Sequence, residues 1–210
     1  MEQLNFDDEA RKLFKSLQSE LTDKLGSKYN NLDPIYKSPI NGAVVYVGNQ
    51  TASQSRDTLD SRNITNVVNT TDNIPCFFED KGINYLRFPI SFWSRHMDNS
   101  DESTMQFLRR LFTFVDDSLR RGENVLVHCL AGAHRAGTTG VLLLMRYTLI
   151  NDVPKAIQLA KSLRPIIDPI GMLPELLRRY AKARNNGLDD HCDINCEKEI
   201  IREKKTQTVL

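Results

Sequence analysis

The residues best suited to chemistry lie between positions 122 and 147, in GENVLVHCLAGAHRAGTTGVLLLMRY. The apolar run ending at His128 reads as a buried strand, Cys129 to Arg135 as a loop of small residues, and a helix is expected from about Ala136. A strand-loop-helix turn of this kind aims backbone N–H groups and the positive end of a helix dipole into one concavity, which suits an anion. Gly132 lets the chain approach an oxyanion closely, and the planar fork of Arg135 can hold two phosphoryl oxygens. In that field the Cys129 thiol is expected to ionise below its free value of about 8.5 and to act as a nucleophile. His128, pointing away along the strand, is placed to tune the site without touching a substrate. A buried filler cysteine with a chance arginine nearby would not account for the flanking histidine, glycines, strand and helix together.

Beyond these residue types, HCLAGAHRAG resembles the H-C-x5-R signature of the cysteine-dependent protein phosphatases, specifically their compact dual-specificity branch. VVYVGNQTASQSRDTLDSRNITNVVNTT is similar to that family's opening strand, helix and second strand, and YLRFPIS to its third. Arg164-Pro165 followed by DPIGMLPELLRRY resembles its closing helix, so the likeness covers about residues 43 to 182. The resemblance implies an α/β, phosphotyrosine-phosphatase-like fold with a central, mostly parallel sheet flanked by helices. It also implies a two-step hydrolysis of phosphoprotein monoesters. Cys129 attacks phosphorus while Arg135 and the loop residues Leu130, Ala131, Gly132, Ala133 and His134 bind the phosphoryl group. An aspartic acid protonates the departing oxygen and then deprotonates the water that cleaves the phosphocysteine. No metal and no cofactor are implied.

The chain departs from the family pattern twice. The acid usually follows the strand that YLRFPIS resembles, but Phe92 and Trp93 stand there, and neither can donate a proton. Counting back from Cys129 without a gap puts Asp98 in the acid's column, with Asp101 the runner-up; both also suit capping of the helix that follows. His96, in the same loop, is a further substrate contact or simply a solvated side chain. After Arg135 the family commonly has Ser or Thr, whose hydroxyl helps the cysteine leave. Here Ala136 takes that place, with Thr138 as a supporting candidate and Thr139 beside it. If no other group substitutes, the loss is expected to cost about 1 to 3 kcal/mol in the second step.

The substrate class follows from the same comparison. No Asn-Arg-Tyr element of the larger phosphotyrosine phosphatases is present, which implies a shallower pocket taking phosphotyrosine and phosphoserine or phosphothreonine. Leu130, Ala131, Ala133 and His134 include no lysine, which counts against a phosphoinositide, although a protonated His134 could meet a second phosphate. A phosphate-binding adaptor without turnover, and a phosphatase for a non-protein phosphate, stay open beside the main reading.

The elements that must hold these residues follow from periodicity. Phe6, Ala10, Leu13, Phe14, Leu17, Leu21 and Leu25 fall at helical spacing, with Asn5 as N-cap and Gly26 as the stop. Residues 27 to 42 read as a connecting loop. Strands are expected at 43–47, 64–69, 84–90 and 125–128, and helices near 53–61 and at 102–121, 136–150, 153–163 and 172–186. The organisation is therefore an amphipathic helix and linker at 1–30, a catalytic domain at 31–186 and a polar tail at 187–210.

Composition narrows the partners. With 28 Lys and Arg against 27 Asp and Glu, the chain has no basic excess for duplex DNA or an anionic membrane. Its apolar runs fall far short of the roughly 20 residues that span a bilayer, and MEQLNFDDEA is no leader pattern. A cytoplasmic protein acting on phosphoproteins is expected, with the nucleus as the alternative compartment and no indication of oligomeric state. Cys76, Cys129, Cys192 and Cys196 do not make a disulfide framework. Cys76 reads as a plain thiol or as a reversible partner of Cys129. His191, Cys192 and Cys196 offer three zinc ligands where four are usual. Thr208-Val209-Leu210 matches a carboxyl-terminal docking motif of low specificity.

Overall fold

A computed structural model of the chain describes residues 4–23 and 29–188. The chain opens with helix α1 (Phe6–Asp23), which Asn5 starts as expected: its side-chain oxygen accepts from the Asp7 and Asp8 amides at 3.0 and 3.3 Å. Gly26 and everything beyond Leu188, including His191, Cys192, Cys196 and the carboxyl-terminal motif, lie outside the described residues.

One sheet follows. Its strands are β1 (Leu32–Lys37), β2 (Val44–Gly48), β3 (Ile64–Asn69), β4 (Asn84–Arg87) and β5 (Asn124–His128), in the order β1-β2-β5-β3-β4. All pairs are parallel except β1 on β2. Val125, Leu126 and Val127 of the central β5 are fully buried, which is why that strand reads as an unbroken apolar run. β1 corrects the sequence reading, which left 27 to 42 as a loop. It is an edge strand whose register shifts between Pro34 and Tyr36, and an edge tolerates a proline without an amide donor.

The single helix expected near 53–61 is two short ones, α2 (Gln50–Ser53) and α3 (Arg56–Asp60), each with its own cap. Asn49 accepts from the Ala52 amide and Ser55 from the Thr58 amide. After β4 come α4 (Trp93–His96), α5 (Asp101–Arg120), α6 (Arg135–Thr148), α7 (Val153–Leu163) and α8 (Leu173–Asn185). The larger core joins the sheet to α5, α6 and α8 through residues such as Leu111, Val115, Leu142, Leu177 and Tyr180. Asp116 of α5 and Arg146 of α6, both buried, pair across that layer at 2.7 Å, and Tyr147 Oη donates to the same carboxylate. The opposite core is thinner and gathers Ala52, Leu59, Val67 and Leu126. The turn from β5 into α6 is thus fixed between two packed layers. Among the described residues no helix is long and apolar enough to cross a membrane.

Candidate active site

The loop from Cys129 to His134 leaves the end of β5 and enters α6, and its shape is set by where its carbonyls go. Gln50 N–H donates to Leu130 O at 3.1 Å and Asp168 N–H to Ala133 O at 3.1 Å. Tyr29 Oη donates to Ala131 O at 2.9 Å. Arg164 reaches the loop from the end of α7, donating from Nε to Gly132 O at 3.0 Å and from Nη2 to Ala131 O at 3.2 Å. With these oxygens taken on the outside, the loop's N–H groups are left to the inner face, the arrangement an oxyanion requires. Gly132 N–H donates to Cys129 Sγ at 3.2 Å.

Gly132 could be no other residue here. Its φ is +70°, and an added Cβ would stand 2.5 Å from Gly48 O and 2.8 Å from an Arg164 nitrogen. Arg164 is fully buried, and its charge is met by Asp33 at 2.6 Å. Tyr29 is oriented in turn by Asn49 Nδ2 at 2.8 Å. Sequence reasoning missed Tyr29, Asp33 and Asn49 altogether and had Arg164 only as part of a resemblance. A buried arginine closing a helix before a proline was the one local signal.

The expected residues are brought together in part. Cys129 and Arg135 are both buried at the mouth of α6. His128 is completely buried at the end of β5, where burial pushes its pKa down to about 3, so it is a neutral imidazole. Its carbonyl accepts from the Thr70 amide and hydroxyl. His134 is buried with Nδ1 at 2.7 Å from Asp168 O; a carbonyl only accepts, so Nδ1 carries the proton. Thr138 Oγ1 donates to His134 O at 2.7 Å and Thr139 Oγ1 to Arg135 O at 3.0 Å, so both hydroxyls are bonded to the helix backbone.

The two expected acids have partners at the start of α5. Asp98 Oδ1 accepts from the Ser100 amide at 2.7 Å and hydroxyl at 2.6 Å, just ahead of α5. Hydrogen bonds from Ser100 and then Ser103 hold its carboxyl at about 2. Asp101 accepts from Asn186 at 2.5 Å and lies 3.3 Å from Lys182, which keep it below the ordinary carboxylate value. The cap of α5 is Ser100, whose side chain accepts from the Ser103 amide at 3.1 Å, and among the described residues no hydrogen bond or ion pair links Asp98 or Asp101 to Cys129 or Arg135. His96 stacks on Phe107 with ring centroids 6.3 Å apart. Cys76 and Cys129 are free thiols, and Cys76 Sγ lies 3.4 Å from Arg87 Nη2. Among the described residues no group of three or more His, Cys, Asp and Glu could hold a metal ion.

One acid does reach the site, from a direction no local pattern gives. Asp7, in the first turn of α1, accepts a hydrogen bond on Oδ1 from Arg135 Nη2 and on Oδ2 from Asn73 Nδ2 at 2.9 Å. Partial burial raises its pKa, but the Asn73 hydrogen bond and the Arg135 guanidinium outweigh that and hold the carboxyl below its ordinary value.

Residues 45–182 match the family model described as "Dual specificity phosphatase, catalytic domain". Human "Dual specificity protein phosphatase 6" is 31% identical over 176 residues, covering 82% of this chain and 43% of the relative. The chain thus spans under half the length of that relative. Among solved structures, human DUSP28 superposes with a TM-score of 0.60 at 22% identity, covering 77% of this chain and 99% of that one. PTPMT1 in complex with PI(5)P gives a TM-score of 0.56 at 17% identity, covering 75% and 99%. Both structural likenesses speak for the fold alone. With the match of the family model over most of its length, the chain belongs to the dual specificity phosphatases.

Proposed function

We propose that this chain hydrolyses phosphoprotein monoesters, phosphotyrosine and phosphoserine or phosphothreonine, through a cysteinyl-phosphate intermediate on Cys129. The observation that carries this is the 129–134 loop, with its carbonyls bonded outward and the Cys129 sulfur under the Gly132 amide, ahead of Arg135. In the first step the Cys129 thiolate forms a sulfur–phosphorus bond as the phosphorus–oxygen bond to the substrate breaks. The loop amides and Arg135 stabilise the charge on the three equatorial oxygens. In the second step water attacks phosphorus, the thiolate leaves, and inorganic phosphate departs. With Phe92 in the acid's usual place and Asp98 bonded to Ser100, the N-cap of α5, leaving-group protonation is weakly assisted. Aryl phosphates, whose phenolate leaves readily, are then the better substrates.

A phosphoinositide is the second reading, since one neighbour of the same fold is named with PI(5)P. Against it, the loop carries no lysine, and His134 Nδ1 is engaged by the Asp168 carbonyl. The adaptor reading rests on Ala136 and on the missing acid, and kinetics separates it from turnover. We expect slow hydrolysis of an aryl phosphate such as p-nitrophenyl phosphate, lost by about 10³-fold or more in Cys129→Ser, with acid-quenched mass spectrometry finding phosphate on the Cys129 peptide of the wild type. Equal rates for wild type and Cys129→Ser would overturn the reading, and so would no turnover in a chain that still binds phosphate.

A further inference from the structure

The face of the 129–135 loop that should receive a phosphate is covered by the chain's own first helix. Arg135, whose fork must hold the phosphoryl oxygens, has a side chain only 5% exposed and is bonded to the Asp7 carboxylate. The Phe6 ring lies beside the same guanidinium, its centroid 5.8 Å from Cζ. One turn further on, Ala10 is buried against Ala131 and Ala133 of the loop itself. Leu4 and Phe6 rest on Gly171, where a Cβ would meet Leu4 Cδ2 at 2.9 Å.

We propose that the first turns of α1 form an autoinhibitory latch, in which the Asp7 carboxylate stands on Arg135 in place of a phosphoryl group and must leave before phosphate enters. The proposal rests on the reading of the 129–135 loop as a phosphate site. A carboxylate oxygen on the guanidinium stands where one phosphoryl oxygen would, with the same sign of charge. Asp7 is held in place for it, because Asn73 fixes the second oxygen while Arg135 takes the first. The small side chains of Ala10, Ala131 and Ala133 let the helix backbone come close enough to lie on the loop.

The attachment is also light enough to be released. The charged residues next along the helix, Asp8, Arg11 and Lys12, face solvent and pair within α1, Asp8 with Arg11 at 2.7 Å and Lys12 with Glu9 at 2.6 Å. Among the described side chains of α1, the stripe of Phe6, Asp7, Ala10, Leu13 and Phe14 meets the domain. A site open for only a fraction of the time binds its ligand more weakly by that fraction.

The test uses the full chain and two readouts that do not require turnover. One is the affinity for inorganic phosphate by calorimetry; the other is the rate of Cys129 alkylation by iodoacetamide, read on the Cys129 peptide by mass spectrometry. Asp7→Asn is expected to tighten phosphate binding and speed alkylation by about tenfold each. Phe6→Ala and Ala10→Leu leave the charge alone and should act in the same direction, while Asp8→Asn, one residue along but solvent-facing, should change neither by more than about twofold. If Asp7→Asn leaves both readouts unchanged or lowers them, the latch is wrong. If Asp7→Asn acts but Phe6→Ala and Ala10→Leu do not, the effect is simple charge removal and the latch is equally wrong. Faster alkylation without any hydrolysis would keep the latch and discard the phosphatase reading. Hydrolysis with unchanged alkylation would do the reverse.

Discussion

At the scale of single residues, two titrations distinguish roles that the sequence left open. Hydrogen bonds from Ser100 stabilise the ionised form of Asp98 and hold its carboxyl below the ordinary value, which opposes a role as proton donor. Its carbon resonance should titrate with a midpoint near 2, and a midpoint above 5 would return it to the role of proton donor. Because its folded-state value lies below the ordinary one of 3.8, its contribution to stability is complete above that value and is lost as pH falls toward 2. Asp98→Asn is accordingly expected to change hydrolysis of aryl and alkyl phosphates alike by no more than about twofold. His128 runs over a different window. Its folded value is depressed from 6.5 to about 3, so below pH 6.5 an unfolded chain takes up a proton that the native chain refuses. Stability should therefore fall as pH drops from 6.5 toward 3, by up to about 1.4 kcal/mol per pH unit from this group. Urea midpoints measured across that range should slope less in His128→Gln, and an unchanged slope would mean that the imidazole is not held neutral.

At the scale of elements, the reactive loop depends on braces that come from far along the chain. Arg164 holds two loop carbonyls, the Asn30 carbonyl and Asp33. Removing one partner of such a buried pair leaves the other charge uncompensated, so Arg164→Ala should cost about 3 to 5 kcal/mol in urea unfolding. It should also abolish phosphate binding although Cys129 and Arg135 are untouched; retained affinity would show that the loop shapes itself. Local pattern offered Arg164 before Pro165 and none of its partners. Strand 64–69 and helix 153–163 were legible to the residue, because period and caps are local properties and both segments carry them cleanly. The strand-loop-helix turn around Cys129 was legible for the same reason. β1 was not, since Pro34 and polar neighbours mask an edge strand whose partner is β2, and the split between α2 and α3 turns on the cap at Ser55. The contact of Asp7 with Arg135 spans 128 positions, and nothing in either neighbourhood announces the other.

At the scale of the whole molecule, the near balance of 28 basic and 27 acidic residues leaves no broad field to draw in a ligand, so access to the site rests on what covers it. Composition set the domain boundary at residue 31, yet Tyr29 supports Ala131 O and Asn30 O takes a bond from Arg164. A chain of residues 29–188 keeps β1, both of these contacts and the Asp33 partner of Arg164 while lacking α1. It is expected to unfold cooperatively in urea and to bind inorganic phosphate more tightly than the full chain. A start at residue 31 should weaken it by about 1 kcal/mol for each hydrogen bond lost with Tyr29 and Asn30. A start at residue 44 removes β1 and Asp33 and buries the Arg164 charge without its partner, and no cooperative transition is expected. Should the 29–188 chain fail to fold while the full chain does, α1 would be part of the domain's framework, and the cover over Arg135 would be the stable form of the molecule instead of a state it leaves.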